Sequence, residues 1–363
     1  MKKKVISIDD IAKRAGVAKS TVSRILSGKG QFSEKTRSKV LRIAKKLNYK
    51  PNPIAKSLRS RTTKAIGLML PNVTYPFYPE VIRGVEDVAF KNGYIVILCD
   101  TNESKKKESM YFEIFENRWI DGIIYAGITG EPEEEEHIYA ALKKKLPIVF
   151  IDREVEGHFT CTIMIDNEKA AFDATKYCLE LGHRRIGFIR GVSREKKEIK
   201  IFTRRFEGYR KALFDYGLEI DPELIVEGDL TLESGVVAAK KLLERRVSFT
   251  AIFASNDLMA IGAMRELQRR GYRIPGDVSI IGLDDIPLAS LVNPSLTTVA
   301  QPKYEIGVEA TKLLLKRIEN PQVPKRKIVL DTELVVRQST APPGGGVKLI
   351  NNKEEESVQQ RKK

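Results

Sequence analysis

The chain has 363 residues, a formal net charge of +15 and 42% hydrophobic residues. That length allows two or three domains with real cores, and no apolar run approaches the ~20 residues that a membrane-spanning helix needs. The three cysteines, Cys99, Cys161 and Cys178, are widely spaced in apolar surroundings, which fits buried thiols and argues against a disulfide framework or a cysteine metal site.

Met1-Lys2-Lys3-Lys4 has the charge of a signal-peptide start, but Asp9 and Asp10 interrupt the segment where an apolar stretch would have to stand. The expectation is a cytoplasmic protein with no membrane partner. The charge is unevenly spread. Residues 1–64 hold 19 of the 63 Lys and Arg and three of the 48 acids, so this segment carries +16 and the remainder −1. Basicity concentrated in one small unit is an electrostatic footprint for phosphates.

Ser7-Ile8-Asp9-Asp10 sets a cap residue three positions before an acid, close to a capping-box pattern. Ile8, Ile11, Ala12 and Ala15 then share one helical stripe, and Gly16 ends the helix. In "AKSTVSRILSGKG" (18–30) Val22, Ile25 and Leu26 turn inward, and Gly28-Lys29-Gly30 closes the segment. A third helix opens at Ser33-Glu34, runs to about Leu47 and is expected to bury Val40, Leu41, Ala44 and Leu47. Three short helices with a glycine turn between the first two predict a helix-turn-helix unit over 1–50. Its second helix presents Lys19, Ser20, Thr21, Ser23 and Arg24 away from Val22 and Ile25. Short donors and acceptors there suit a helix entering a DNA major groove. An ordinary surface helix would explain the polarity but not the local charge.

"NYKPNPIAKSLRSRTTKAIG" comes next. Asn52 is a helix N-cap candidate and Pro53 stands well at the first helical position. Residues 51–63 predict a hinge helix or linker too short to fold alone. Leu58, apolar among cations, either wedges into a minor groove or packs on the body.

From Lys64 apolar strands alternate with amphipathic helices: "AIGLML", "YIVILCD", "DGIIYAG" and "PIVFID", then "RIGFIRG", "TAIFAS" and "VSIIGLDD". Helices are expected near Tyr78–Asn92, Glu168–Leu181, Thr203–Tyr216, Ser234–Arg245 and Asp257–Arg270. Two such βα series predict an α/β core of two similar lobes, with parallel sheets and helices on both faces. The expected bounds are 64–340, divided as 64–161 plus 292–322 and 162–291 plus 323–340. Residues 341–363, Pro/Gly-broken and then charged, predict a disordered tail.

Ligands of such folds sit beyond the carboxyl ends of the strands, here in a cleft between lobes. The polar residues there are Asp152-Arg153, Asn256-Asp257 and Asp284-Asp285, with Arg205 on a following helix and Phe77 and Tyr78 after the first strand. Carboxylates, an amide and guanidinium groups beside aromatic faces suit a polyhydroxylated ligand. Each residue alone could equally cap a helix or form a salt bridge. No phosphate loop, G-x-S-x-G or H-E-x-x-H occurs, and His137, His158 and His183 are scattered, so no enzyme, metal or cofactor is expected. "EPEEEEH" (131–137) predicts a solvated helix start, and His183 a turn residue.

"SIDDIAKRAGVAKSTVSRILSG", "YKPNPIAKSLRSRTTKAIG", "FYPEVIRGVEDVA", "LGHRRIGFIRG", "ASNDLMAIGAM", "GDVSIIGLDD" and "PSLTTVAQP" closely resemble the lactose/galactose-repressor (LacI/GalR) family of bacterial transcription regulators, colinearly from about Ser7 to Thr340. The resemblance implies a homodimer on a near-palindromic double-stranded operator. By position it makes Lys19 and Ser20 the main base readers and Thr21, Ser23 and Arg24 phosphate or base contacts. It extends the DNA-facing set to Asn52, Ala55 and Leu58. The core resembles periplasmic sugar-binding proteins, ribose-binding protein in particular. That likeness places Phe77, Tyr78, Asp152, Arg153, Arg205, Asn256, Asp284 and Gln301 at sugar-contacting positions and Leu230 at a stacking position. It implies a small sugar-like effector, with a lean towards a pentose. A nucleobase or a protein co-effector is the alternative. The chain departs from the family at Ala18, where many relatives have serine. Tyr75 stands where an asparagine would bond the sugar, and Leu230 replaces the usual aromatic.

Overall fold

The computed structural model describes residues 6–49, 62–116, 120–127, 136–153, 155, 160–194 and 198–344. The chain divides into two compact units, Met1–Thr63 and Lys64–Lys363.

In the first unit α1 (Ile8–Ala15), α2 (Lys19–Leu26) and α3 (Glu34–Lys46) pack around Ile11, Ala15, Val22, Ile25, Val40 and Ala44. The capping box forms in full: the Ser7 side chain takes the Asp10 N–H, and Asp10 accepts from the Ser7 backbone at 2.9 Å. Gly16, at φ +67°, supplies the left-handed turn that lets α2 start two residues later. Ala18 caps α2 without a side-chain bond, and only its carbonyl serves the first turn, taking the Thr21 N–H at 3.0 Å. Leu41 is 44% exposed, against expectation. The inward stripe runs Val40, Ile43, Ala44, Leu47, the i, i+3, i+4 rhythm that leaves position 41 outside. The expected hinge helix, with Asn52, Ala55 and Leu58, lies outside the described residues.

The second unit holds two sheets. One has the order β11-β5-β4-β3-β1-β2, built from β1 (Ala65–Leu70), β2 (Ile95–Asp100), β3 (Gly122–Tyr125), β4 (Ile148–Ile151), β5 (Cys161–Ile165) and β11 (Lys327–Leu330), with every pairing parallel. The other has the order β12-β10-β9-β8-β6-β7, from β6 (Ile186–Gly191), β7 (Ile225–Gly228), β8 (Ala251–Ala254), β9 (Ser279–Asp284), β10 (Thr297–Ala300) and β12 (Glu333–Val335). Only β12 there is antiparallel among the described pairings, with Val299 opposite Leu334. Around the first sheet lie α4 (Tyr78–Lys91), α5 (Lys105–Ile114), α6 (Glu136–Lys143) and α12 (Lys303–Glu319). Around the second lie α7 (Asn167–Glu180), α8 (Lys200–Asp215), α9 (Leu232–Glu244), α10 (Asp257–Arg269) and α11 (Pro287–Leu291).

The lobe bounds therefore move. β5 joins the first sheet by pairing Val149 with Cys161, so the first crossing comes after residue 165, not 161. β10 stays in the second sheet, which puts the return crossing after residue 300, not 291. The last crossing falls between β11 and β12. β5 and β10, like β1, β3, β4, β8 and β9, are short runs buried along almost their whole length, and such a run carries no mark of which sheet it will join.

Cys99, Cys161 and Cys178 are buried free thiols, as expected. His183 stands at the turn between α7 and β6, as expected, with its N–H on the Cys178 carbonyl at 3.1 Å. It is buried and lies 2.9 Å from Thr250 Oγ1, 3.1 Å from Ser279 Oγ and 2.9 Å from the Ala341 carbonyl. Ser279 Oγ also accepts the Ala341 N–H at 3.0 Å, so the core reaches past the expected tail boundary at 341. The tail from 345 on lies outside the described residues. No helix among them is long and apolar enough to cross a membrane, and no cluster of possible metal ligands occurs among them.

Candidate functional site

On α2, Lys19, Ser20 and Arg24 are exposed and Thr21 and Ser23 half-buried, while Val22 and Ile25 hold the opposite face in the core. The structure thus displays this predicted set on one side of one helix. Lys19 Nζ reaches Asp9 Oδ2 on α1 at 2.6 Å. Asp9 had no expected role beyond the first turn of its helix; this contact parks the lysine on a neighbouring helix. It is an exposed pair, worth little by itself.

In the second unit the strand ends enclose a cavity of about 300 Å³. Seven of the nine predicted effector residues line it: Phe77, Tyr78, Asp152, Arg205, Leu230, Asp284 and Gln301. Arg153 does not. The chain leaves β4 through Asp152 at φ +51°, and with Asp152 in the cavity Arg153 turns into the core. There its Nη1 donates to Tyr125 Oη at 3.0 Å and its guanidinium sits 4.9 Å from the ring centre. Asn256 also stands off the cavity wall. Its Oδ1 accepts the Met259 N–H at 2.9 Å as the cap of α10, and its Nδ2 donates to the Leu230 carbonyl at 3.0 Å.

Asp284 organises the floor. Arg205 Nη1 lies 3.3 Å and Gln301 Nε2 2.6 Å from its Oδ1. Tyr75 donates its phenol to Oδ2. Lys303 Nζ donates to the carbonyls of Asp284 and Asp285 at 2.9 and 2.8 Å. Arg205 is fixed further by Asn167 Oδ1 at 2.8 Å and the Ser255 carbonyl at 2.5 Å, with Phe202 beneath it. Asp152, Leu230 and Asp284 all have positive φ, at +51°, +70° and +128°. Non-glycine residues held there gather at binding sites, where the surrounding fold overrides the strain. Behind the floor Asp257 accepts from Thr298 Oγ1 at 2.5 Å and from the Ile286 N–H at 2.9 Å. A Cβ at position 282 would stand 2.2 Å from Asp257 Oδ1, which is why that position is glycine.

Burial pushes Asp152 up to about 6, against the opposing pull of the Arg205 charge. Burial, and then the Asp284 charge, pushes Asp257 up to about 7. For Asp152 the native value lies above the ordinary 3.8, so the native state holds the extra proton between those values. Its stability contribution is complete below about pH 4 and is lost as pH rises through about 6. Asp152→Asn is expected to remove that fall from the pH profile of unfolding midpoints of the ligand-free protein. An unchanged profile would refute the assignment.

Sequence reasoning missed Glu103, Arg194, Asp229, Phe202 and Glu233 on the cavity wall. Phe202 had a signal, standing three residues before Arg205 and so on the same helical face. Arg194, Asp229 and Glu233 lie one to five residues beyond the ends of β6 and β7, within reach of the rule that located the others.

The family model described as "Bacterial regulatory proteins, lacI family" matches residues 7–52, and "Periplasmic binding protein-like domain" matches residues 175–340. Catabolite control protein A of Priestia megaterium is 36% identical over 335 residues, 92% of this chain and 99% of that protein. The solved complex of the transcriptional regulator CelR with cellobiose is 30% identical, covers 92% of this chain and 99% of its own, and superposes with a TM-score of 0.70. The lac repressor dimer bound to operator and the anti-inducer ONPF is 25% identical, covers 93% of this chain and all of its own, and has a TM-score of 0.81.

Proposed function

Because this chain belongs to the LacI/GalR family of DNA-binding transcriptional regulators, we propose that it is a dimeric repressor controlled by a neutral, sugar-like effector in the interlobe cavity. The observation that carries this is the cavity lining: the aromatic rings of Phe77 and Tyr78 and the carboxylates of Asp152 and Asp284 at the strand ends. Aromatic faces stack on the apolar side of a sugar ring, and carboxylates accept from its hydroxyls. Five acids (Glu103, Asp152, Asp229, Glu233, Asp284) face two arginines (Arg194, Arg205). This balance disfavours phosphorylated ligands and favours uncharged ones. The α2 face of Lys19, Ser20, Thr21, Ser23 and Arg24 reads the operator, and Asn52, Ala55 and Leu58 complete the DNA-facing set. Effector binding and operator binding are then linked, each changing the other's affinity by the same factor.

The test is a thermal-stability titration of the whole chain against pentoses, hexoses, their phosphates and purine bases. A ligand that binds only the native state raises the melting temperature by mass action, by roughly 2.7 kcal/mol of stabilisation at a hundredfold excess over Kd. A shift with a free sugar supports the reading. A shift with a purine alone would transfer the cavity to a nucleobase, and no shift with any compound would favour a protein co-effector.

A further inference from the structure

Tyr75 follows β1 in the first lobe, and Asp284 and Asn256 stand at the ends of β9 and β8 in the second. The Tyr75 phenol crosses the cleft, donating to Asp284 Oδ2 and accepting from Asn256 Nδ2 at 3.0 Å. It also sits among its own neighbours, its ring centre 6.4 Å from that of Phe77 and 6.1 Å from that of Tyr78. One hydroxyl thus uses an acceptor and a donor that face it from the opposite lobe. Asn256 cannot turn away, because its Oδ1 is committed to the cap of α10. Asp284 Oδ1 is committed to Arg205 and Gln301.

We propose that Tyr75 is a specificity-determining residue that occupies the Asp284–Asn256 hydroxyl subsite from within the chain and ties the two lobes together when no effector is bound. This rests on the reading of the cavity as an effector site. Beside Tyr75, two of the expected effector residues keep acceptor capacity for a ligand: Asp152, whose carboxylate takes the Ile165 N–H at 3.4 Å, and Gln301, whose buried Oε1 has no hydrogen-bond partner while its Nε2 serves Asp284. Both are acceptors. At these two positions the cavity therefore favours a ligand that offers hydroxyl or amine donors to Asp152 and Gln301 without a hydroxyl on Asp284. Ligands that must also seat a hydroxyl between Asp284 and Asn256 have to displace the phenol first.

Tyr75→Phe keeps the ring and removes the bond. Backbone hydrogen exchange of the full-length, ligand-free protein is the measurement. Amides of residues 72–75, 77, 78 and 284–286 are expected to exchange roughly tenfold faster in Tyr75→Phe, the effect of losing one hydrogen bond to a charged group. Strand amides of β3 and β8 are expected to be unchanged. Unchanged exchange at the cleft, or faster exchange spread evenly over both sheets, overturns the proposal. In parallel, Tyr75→Asn returns an amide to the position and is expected to bind D-ribose or D-glucose about tenfold more tightly than the unsubstituted chain. A sugar response in both proteins with no change at the cleft amides would sink the tie and leave the effector reading standing. Faster cleft exchange without a sugar response in either protein would support the tie and remove the sugar reading.

Discussion

Arg205→Ala is expected to destabilise the core by about 3–5 kcal/mol, the usual consequence of stranding one charge of a buried pair. Arg205 is 2% exposed, and its Nε and Nη1 are spent on Asn167, the Ser255 carbonyl and Asp284. Removing it leaves the buried Asp284 carboxylate without its counter-charge, with Gln301 and Tyr75 as its remaining side-chain donors. Alanine also opens space above Phe202, over which the guanidinium now lies at 4.9 Å. Chemical denaturation of the full chain measures the loss. Asp284→Asn in the Arg205→Ala background is expected to restore part of it, because the stranded charge goes. Equal midpoints for Arg205→Ala and the unsubstituted protein would show that the ion pair is not structural. The sequence alone points to Arg205 as an effector contact. The geometry gives it an earlier task, which is to hold the floor carboxylate in place, so an effector assay on Arg205→Ala has to be read together with its stability.

Raising salt from 50 to 200 mM is expected to weaken binding to a random-sequence DNA duplex by roughly a thousandfold or more, as for proteins that neutralise six to ten phosphates. The physical ground is the first unit: Lys13, Arg14, Lys19, Arg24, Lys29, Lys35 and Arg37 are all exposed there. Fluorescence anisotropy with a labelled duplex measures the slope of log K against log salt. Arg24→Ala is expected to lower that slope by about one per removed phosphate contact. Ser20→Ala is expected to leave the slope alone and change the preference among duplex sequences. A flat salt response would reject the electrostatic footprint of the unit.

Much of this molecule is local information, and local information is legible in a sequence. Ser7 and Asp10 form their capping box within four residues, and Gly16 makes its turn through its own φ. The βα alternation is a rhythm of neighbouring residues, so element types and the strand-end rule lead to five residues that line the cavity, Phe77, Tyr78, Asp152, Arg205 and Asp284, while Leu230 and Gln301 come from the family resemblance. The charge of the first unit is a sum over its residues and needs no coordinates. Where a side chain finds its partner is another matter. Asp152 and Arg153 both follow β4, yet the left-handed bend at Asp152 leaves one in the cavity and the other against Tyr125. His183 reads as a turn residue and is one, but its burial against Thr250, Ser279 and Ala341 comes from distant segments. The two sheets take strands of the same apolar kind, so only pairing decides that β5 belongs to one and β10 to the other. Tyr75 is visible in the sequence only as a departure from a motif. Its partner Asp284 lies 209 residues away along the chain, and the bond exists only because two lobes bring their strand ends face to face. Secondary structure follows from nearest neighbours, whereas hydrogen bonds across a cleft follow from packing that no short stretch of chain encodes.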